Sequence, residues 1–140
     1  MQEERNKKII REFTRIFKNE HNPDGVAHLF NTKSFTHHFR APVAPGFEGF
    51  KQIGYMMNGA FPDVVVTEQD LIASQDKVVE RSSAAGTHKG AMMGEKPTNR
   101  HIQWTEIHIY RLQDGKIREH WVEMSMLELL QQVGVIPQLR

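Results

Sequence analysis

The chain has 140 residues, enough for one domain (1–140) with a real core and too few for two. Eighteen Lys and Arg against seventeen Asp and Glu leave a formal charge of +1, so no one-sided field points to nucleic acid, and the absence of cysteine excludes disulfides, thiolate metal sites and a cysteine nucleophile. No apolar run reaches the roughly 18 residues a membrane span needs, and the charged start MQEERNKKIIREF has no secretory apolar region, so a soluble, cytoplasmic protein is the expectation.

In chain order, Ile9, Ile10, Phe13, Ile16 and Phe17 recur at helical spacing and predict an amphipathic first helix that stops near Asn22-Pro23-Asp24-Gly25. Asp24 is placed to cap a short second helix reaching Asn31, with Val26, Leu29 and Phe30 inward. SFTHHF reads as a strand in which Phe35, His37 and Phe39 alternate with Ser34, Thr36 and His38. A third helix is predicted over Phe47 to Ala60, with Phe50, Ile53, Gly54 and Met57 on one side, and Phe61-Pro62-Asp63 ends it. DVVVTEQDLIASQ and KVVERSSAAGTH are two long β-branched runs around a Gln75-Asp76 turn. KGAMMGEKPTNR is a loop suited to a cavity mouth, and MLELLQQVGVI is a short closing helix with Leu127, Leu130 and Val133 as its stripe. Helices followed by consecutive antiparallel strands indicate an α+β domain, its helices covering one face of a curved sheet.

The stretch from Trp104 to Ser125 carries the most chemistry. It reads WTEIHIYRLQDGKIREHWVEMS, two strand-like runs joined by Asp114-Gly115, a pair that favours a tight hairpin because both turn positions need positive φ. With Gln113 facing Lys116, regular pairing puts His108 opposite Trp121 and Glu106 opposite Glu123. Trp104, Glu106, His108, Tyr110, Glu119, Trp121, Glu123 and Ser125 then share one face, and Thr105, Ile107, Ile109, Val122 and Met124 the other. Two readings of these faces stay open: a mixed aromatic and acidic face turned to water, or a sheet buried on both sides, against a ligand on one and a partner subunit on the other. One bulge between Glu119 and Ser125 would turn every later side chain over.

Several segments together resemble the SnoaL-like polyketide cyclases (ester cyclases), on the nuclear-transport-factor-like cone fold. They are PGFEG at 45–49, FPD at 61–63, the run from Asp76 to Gly90, Gly94 with Pro97-Thr98, YRLQDGKIREHW from Tyr110 to Trp121, and LLQQVG from Leu129 to Gly134. The resemblance implies a cone-shaped curved antiparallel sheet under about three N-terminal helices, a deep hydrophobic pocket, no cofactor, no metal and a homodimer formed through the sheet. It also implies proton abstraction from a polyketide ester that starts an intramolecular aldol closure. The family's aspartate, four residues after the tryptophan of E-H-W, corresponds to Ser125 here, and a serine hydroxyl is no base unless a neighbour activates it.

The candidate catalytic residues are therefore Glu123, His108 and Ser125. A Glu123 carboxyl buried beside Trp104 and Trp121 would be raised into a useful range, and His108 titrates near neutrality without tuning. The alternative for Glu123 is a surface carboxylate, solvated or paired with Arg118 or Arg81. His37, His38, His88, Trp104, Glu106, Tyr110, Trp121 and Met57 are the candidate substrate contacts; by periodicity His37 goes with Phe35 and Phe39, while the resemblance places His38 at the pocket entrance. Each histidine is otherwise a hydrogen-bonded core or surface residue. No H-E-x-x-H, phosphate loop or G-x-S-x-G elbow is present. Two function classes follow: a cyclase or isomerase acting beside a carbonyl of a small hydrophobic, polyketide-like molecule, or a binding protein that holds such a molecule without turning it over. No nucleic-acid or membrane partner is expected.

Overall fold

The structure, a computed structural model, describes residues 1–138. Helix α1 (Gln2–Phe13) runs on into a π-helical segment, Thr14–Asn19. Its apolar stripe is buried as expected at Ile10, Phe13, Ile16 and Phe17. The wider π turn brings Thr14 and Lys18 to the sheet together with that stripe. A 3₁₀ turn, Pro23–Leu29, replaces the expected short second helix. Helix α2 (Gly46–Ala60) and a C-terminal α3 (Met126–Val133) complete the helical layer, α3 ending at Gly134, whose φ of 100° suits a residue without a side chain. Among the described residues no helix is long and apolar enough to cross a membrane.

Five strands form one sheet in the order β1-β5-β4-β3-β2: β1 (Thr36–His37), β2 (Val65–Ser74), β3 (Lys77–Thr87), β4 (His101–Gln113) and β5 (Lys116–Met124). Strands β2 to β5 pair antiparallel as expected, whereas β1 runs parallel to β5, so the sheet is mixed. The predicted strand SFTHHF contributes only its two central residues, paired Thr36 with Glu119 and His37 with His120.

The hairpin turns at Asp114-Gly115, with φ of 52° and 75°, and Gln113 faces Lys116 as expected. The pairing beyond it corrects the expected register. Leu112 faces Ile117 but Arg111 faces Glu119, so Arg118 is an extra residue on β5. From there His108 faces Val122 and Ile107 faces Glu123. His120, Val122 and Met124 thus join the face of Glu106, His108 and Tyr110, while Glu119, Trp121 and Glu123 pass to the other. The physical reason lies in Arg118-Glu119, two consecutive charges that a regular strand would divide between core and water; the bulge lets Arg118 donate to the Ser34 carbonyl while Glu119 pairs with Arg111 and His38.

The core has two parts. Phe13, Phe17, Phe30, Phe35 and Phe50 pack with Tyr110 beneath the N-terminal helices, and Phe61, Val64, Trp104, Leu129 and Val133 pack beneath α3. Members of both line the cavity.

Candidate functional site

The cavity has a volume of about 630 Å³, room for a drug-sized molecule. Its walls are largely apolar, and six methionines (Met56, Met57, Met92, Met93, Met124 and Met126) contribute to them. Unbranched thioethers adapt to irregular ligands, which suits a flat hydrophobic guest. The loop from residue 89 to 100 supplies Met92 and Met93, as its composition predicted for a cavity mouth.

Polar chemistry is concentrated on the sheet. On β4 every second residue, Trp104, Glu106, His108 and Tyr110, is buried and lines the cavity, with His120 from β5 beside them. The Glu106 carboxylate accepts from Trp104 Nε1 at 2.7 Å and lies 2.6 Å from His108 Nε2. His108 Nδ1 is 2.8 Å from His120 Nε2. His120 Nδ1 is buried without a hydrogen-bond partner among the described residues. Above this row Lys18 reaches down from the π segment, with Nζ 3.4 Å from Glu80 and 3.7 Å from Glu106. Glu80 accepts from the Thr14 hydroxyl at 2.6 Å and from the Lys18 ammonium, with the Tyr110 hydroxyl 3.4 Å away.

The electrostatics fix the protons. Burial works to raise the Glu106 carboxyl, but the Lys18 ammonium and the hydrogen bonds from His108 and Trp104 outweigh it and hold the group well below the usual carboxylate range. A carboxylate accepts only, so the close contact to His108 requires the proton on His108 Nε2. Lys18 Nζ, 3.1 Å from that same nitrogen, is then a neighbouring charge and not its hydrogen-bond donor. With Nε2 protonated, neutral His108 has a bare Nδ1, which accepts from His120 Nε2–H. His120 Nδ1 therefore carries an unshared pair. Burial first, then the Lys18 charge, pushes His108 below the usual imidazole range; burial, His108 and Lys18 push His120 further down. Both rings are neutral at pH 7. The Tyr110 hydroxyl is raised well above its ordinary value by burial and by Glu80 and Glu106, so it remains a donor.

The other sequence candidates lie elsewhere. Glu123 is exposed on the outer face of the sheet, which removes the burial expected to raise it. Ser125 stands at the N-cap position of α3, but its Oγ accepts the Thr105 amide at 2.9 Å instead of a helix amide, pinning β4 to the start of α3. Trp121, expected beside the pocket, stacks on His38 on the outer side, ring centres 4.9 Å apart. His38 pairs with Glu119 at 2.7 Å, and that contact, with Arg111, lowers the Glu119 carboxyl. His37 packs against Phe35 and Phe50 and lines a smaller pocket of about 350 Å³, outside the main cavity. His88 is fully buried and holds the 89–100 loop, its Nδ1 accepting the Thr98 amide at 3.2 Å. Trp104, Glu106, His108, Tyr110 and Met57 do line the cavity. Sequence reasoning missed His120, Lys18 and Glu80. A signal existed for Glu80, which alternates with Val78, Ser82 and Ala84 on a strand face otherwise free of charge. Among the described residues no group of three or more His, Asp or Glu is arranged to hold a metal ion.

Comparisons with known proteins agree with this architecture. IdmH, a proposed polyketide cyclase from Streptomyces antibioticus, is 28% identical, with a TM-score of 0.78 over 92% of this chain and 98% of its own. TsrD from Streptomyces laurentii is 26% identical, with a TM-score of 0.82 over 92% of this chain and 94% of its own. AclR from Streptomyces galilaeus, a proposed hydroxylase, is 24% identical with a TM-score of 0.85 over 96% of this chain and 84% of its own, a likeness of fold. No curated protein matches the sequence. The family profile described as SnoaL-like polyketide cyclase matches residues 8–133, nearly the whole domain that builds the cavity and its buried row, and the chain belongs to that family.

Proposed function

We propose that the chain is an acid/base enzyme that removes a proton from a carbon next to a carbonyl in a small hydrophobic, polyketide-like substrate. The observation that carries this reading is the buried, unpartnered Nδ1 of His120, a residue that lines the cavity, backed through His108 by the Glu106 carboxylate. His120 Nδ1 takes the proton and the C–H electron pair moves onto the carbonyl oxygen as an enolate. The imidazolium passes its Nε2 proton to His108 Nδ1, and the Nε2 proton of His108 moves toward Glu106, so the positive charge never rests unpaired in an apolar site. The Lys18 ammonium on the same wall gives the enolate a favourable potential. The enolate carbon then attacks a second carbonyl of the same molecule, closing a ring, or takes a proton back at another position. The family membership and the likeness to IdmH favour ring closure.

Hydrogen exchange tests this without the natural substrate. Wild-type protein should speed deuterium uptake at C1 of 2-tetralone in heavy water, and His120→Gln should abolish the acceleration. Tight binding of the ketone without exchange by wild type would establish the binding-protein reading instead. A homodimer through the outer sheet face also belongs to this proposal, supported by Val65, Ile72 and Ile107, which are 56%, 59% and 47% exposed there. Sedimentation of Ile107→Lys against wild type tests it.

A further inference from the structure

The charges along the cavity are arranged by depth. At the sheet, the Lys18 ammonium is paired with both Glu80 and Glu106, so each of these charges has a partner. The rim differs. Arg40, on the exposed loop after β1, lines the cavity beside Phe39 and Pro42. No hydrogen bond or ion pair of its guanidinium occurs among the described residues, whereas Lys18 and Glu106, the other charged cavity residues, are both paired. A guanidinium carries five donors in a planar fork that matches a carboxylate.

We infer that Arg40 is a specificity-determining residue that reads a carboxylate, or an equally planar acidic group, at the outer end of the substrate. This rests on the proposed function, since it orients the molecule that His120 deprotonates. An acidic group is held by the Arg40 guanidinium at the rim; the neutral carbonyl end then enters the apolar cavity first and meets His120. The substrate class is thus an elongated hydrophobic carbonyl compound with an acidic terminus on the side away from the reacting carbon. An amide or simple ester at that end would lose the charge and one acceptor of the fork.

The test compares anthraquinone-2-carboxylate with its carboxamide, two rigid probes differing only at the terminus, by quenching of Trp104 fluorescence in a Trp121→Phe background, which removes the outer-face tryptophan. The carboxylate should bind about three- to tenfold more tightly, the range for a partly exposed charge-assisted contact, and the advantage should shrink with added salt. Arg40→Gln should erase the preference while leaving carboxamide affinity unchanged; Arg40→Lys should retain part of it. Equal affinity of wild type for the two probes, or a preference that survives Arg40→Gln, overturns the inference while leaving the cavity as a binding site. If neither probe binds, the cavity reading itself fails, and the role of Arg40 with it.

Discussion

Glu106→Gln replaces one oxygen by an NH₂ group and changes the direction of a whole proton relay. Trp104 Nε1 donates to the far oxygen of Glu106 at 2.7 Å, so the glutamine must turn its carbonyl toward Trp104 to avoid opposing two donors. Its NH₂ then faces His108 Nε2, where the wild-type contact is 2.6 Å. That nitrogen must now accept, helped by Lys18 at 3.1 Å. The His108 proton moves to Nδ1 and donates to His120 Nε2, and the proton of His120 moves to Nδ1. The unshared pair has left Nδ1 of His120. Loss of a correctly placed base should slow α-proton exchange by about 10²- to 10⁴-fold, or about 3–5 kcal/mol on the barrier. The fold should lose much less, about 1–3 kcal/mol for the exchanged charge-assisted bonds. Deuterium uptake by 2-tetralone and thermal unfolding of the same preparation measure both quantities. Exchange within threefold of wild type in a folded Glu106→Gln protein would refute the relay.

The corrected register predicts that Glu123→Gln exchanges at the wild-type rate, because Glu123 is exposed on the outer face; a large loss would put the register itself in question. Stability should fall on acidification. His108 and His120 both sit below the ordinary value of 6.5 in the folded chain, so the unfolded chain takes up their protons first. Their contribution is intact above about pH 6.5 and is lost as the pH drops from there toward the folded values, at up to about 1.4 kcal/mol per pH unit for each ring. Urea unfolding between pH 5 and 7 checks this, with a shallower slope in His108→Gln/His120→Gln; equal slopes would contradict it. Glu106, depressed by Lys18, contributes stability above the ordinary carboxylate range and loses it only at lower pH, outside that window. Gly90→Ala should cost about 1–3 kcal/mol, read as a lower Tm, because its Cβ would lie 1.9 Å from the Gly59 carbonyl oxygen at the end of α2.

Periodicity made much of the fold legible. The α1 stripe, the α2 boundaries, the long β2–β3 hairpin and the Asp114-Gly115 turn all follow from local rules about which faces are buried and which residues accept positive φ. The site was half legible. On β4 the alternation is unbroken, so Trp104, Glu106, His108 and Tyr110 emerge together. On β5 the same rule failed at one inserted residue, Arg118, whose partner is the Ser34 carbonyl far back in the chain. That partner is tertiary information, and without it Trp121 and Glu123 look inward and His120 does not. Lys18 was hidden for a related reason, since an α-helical wheel does not show how a π segment turns it toward Glu80.

The protonation of His120 is the point on which the proposed chemistry turns. Nitrogen-15 spectra of the histidine rings at pH 7 should show His108 and His120 both neutral, each with its proton on Nε2, and the bare Nδ1 of His120 should shift when a carbonyl probe enters the cavity. A proton on Nδ1 of His120, or an imidazolium at either ring, would contradict the account.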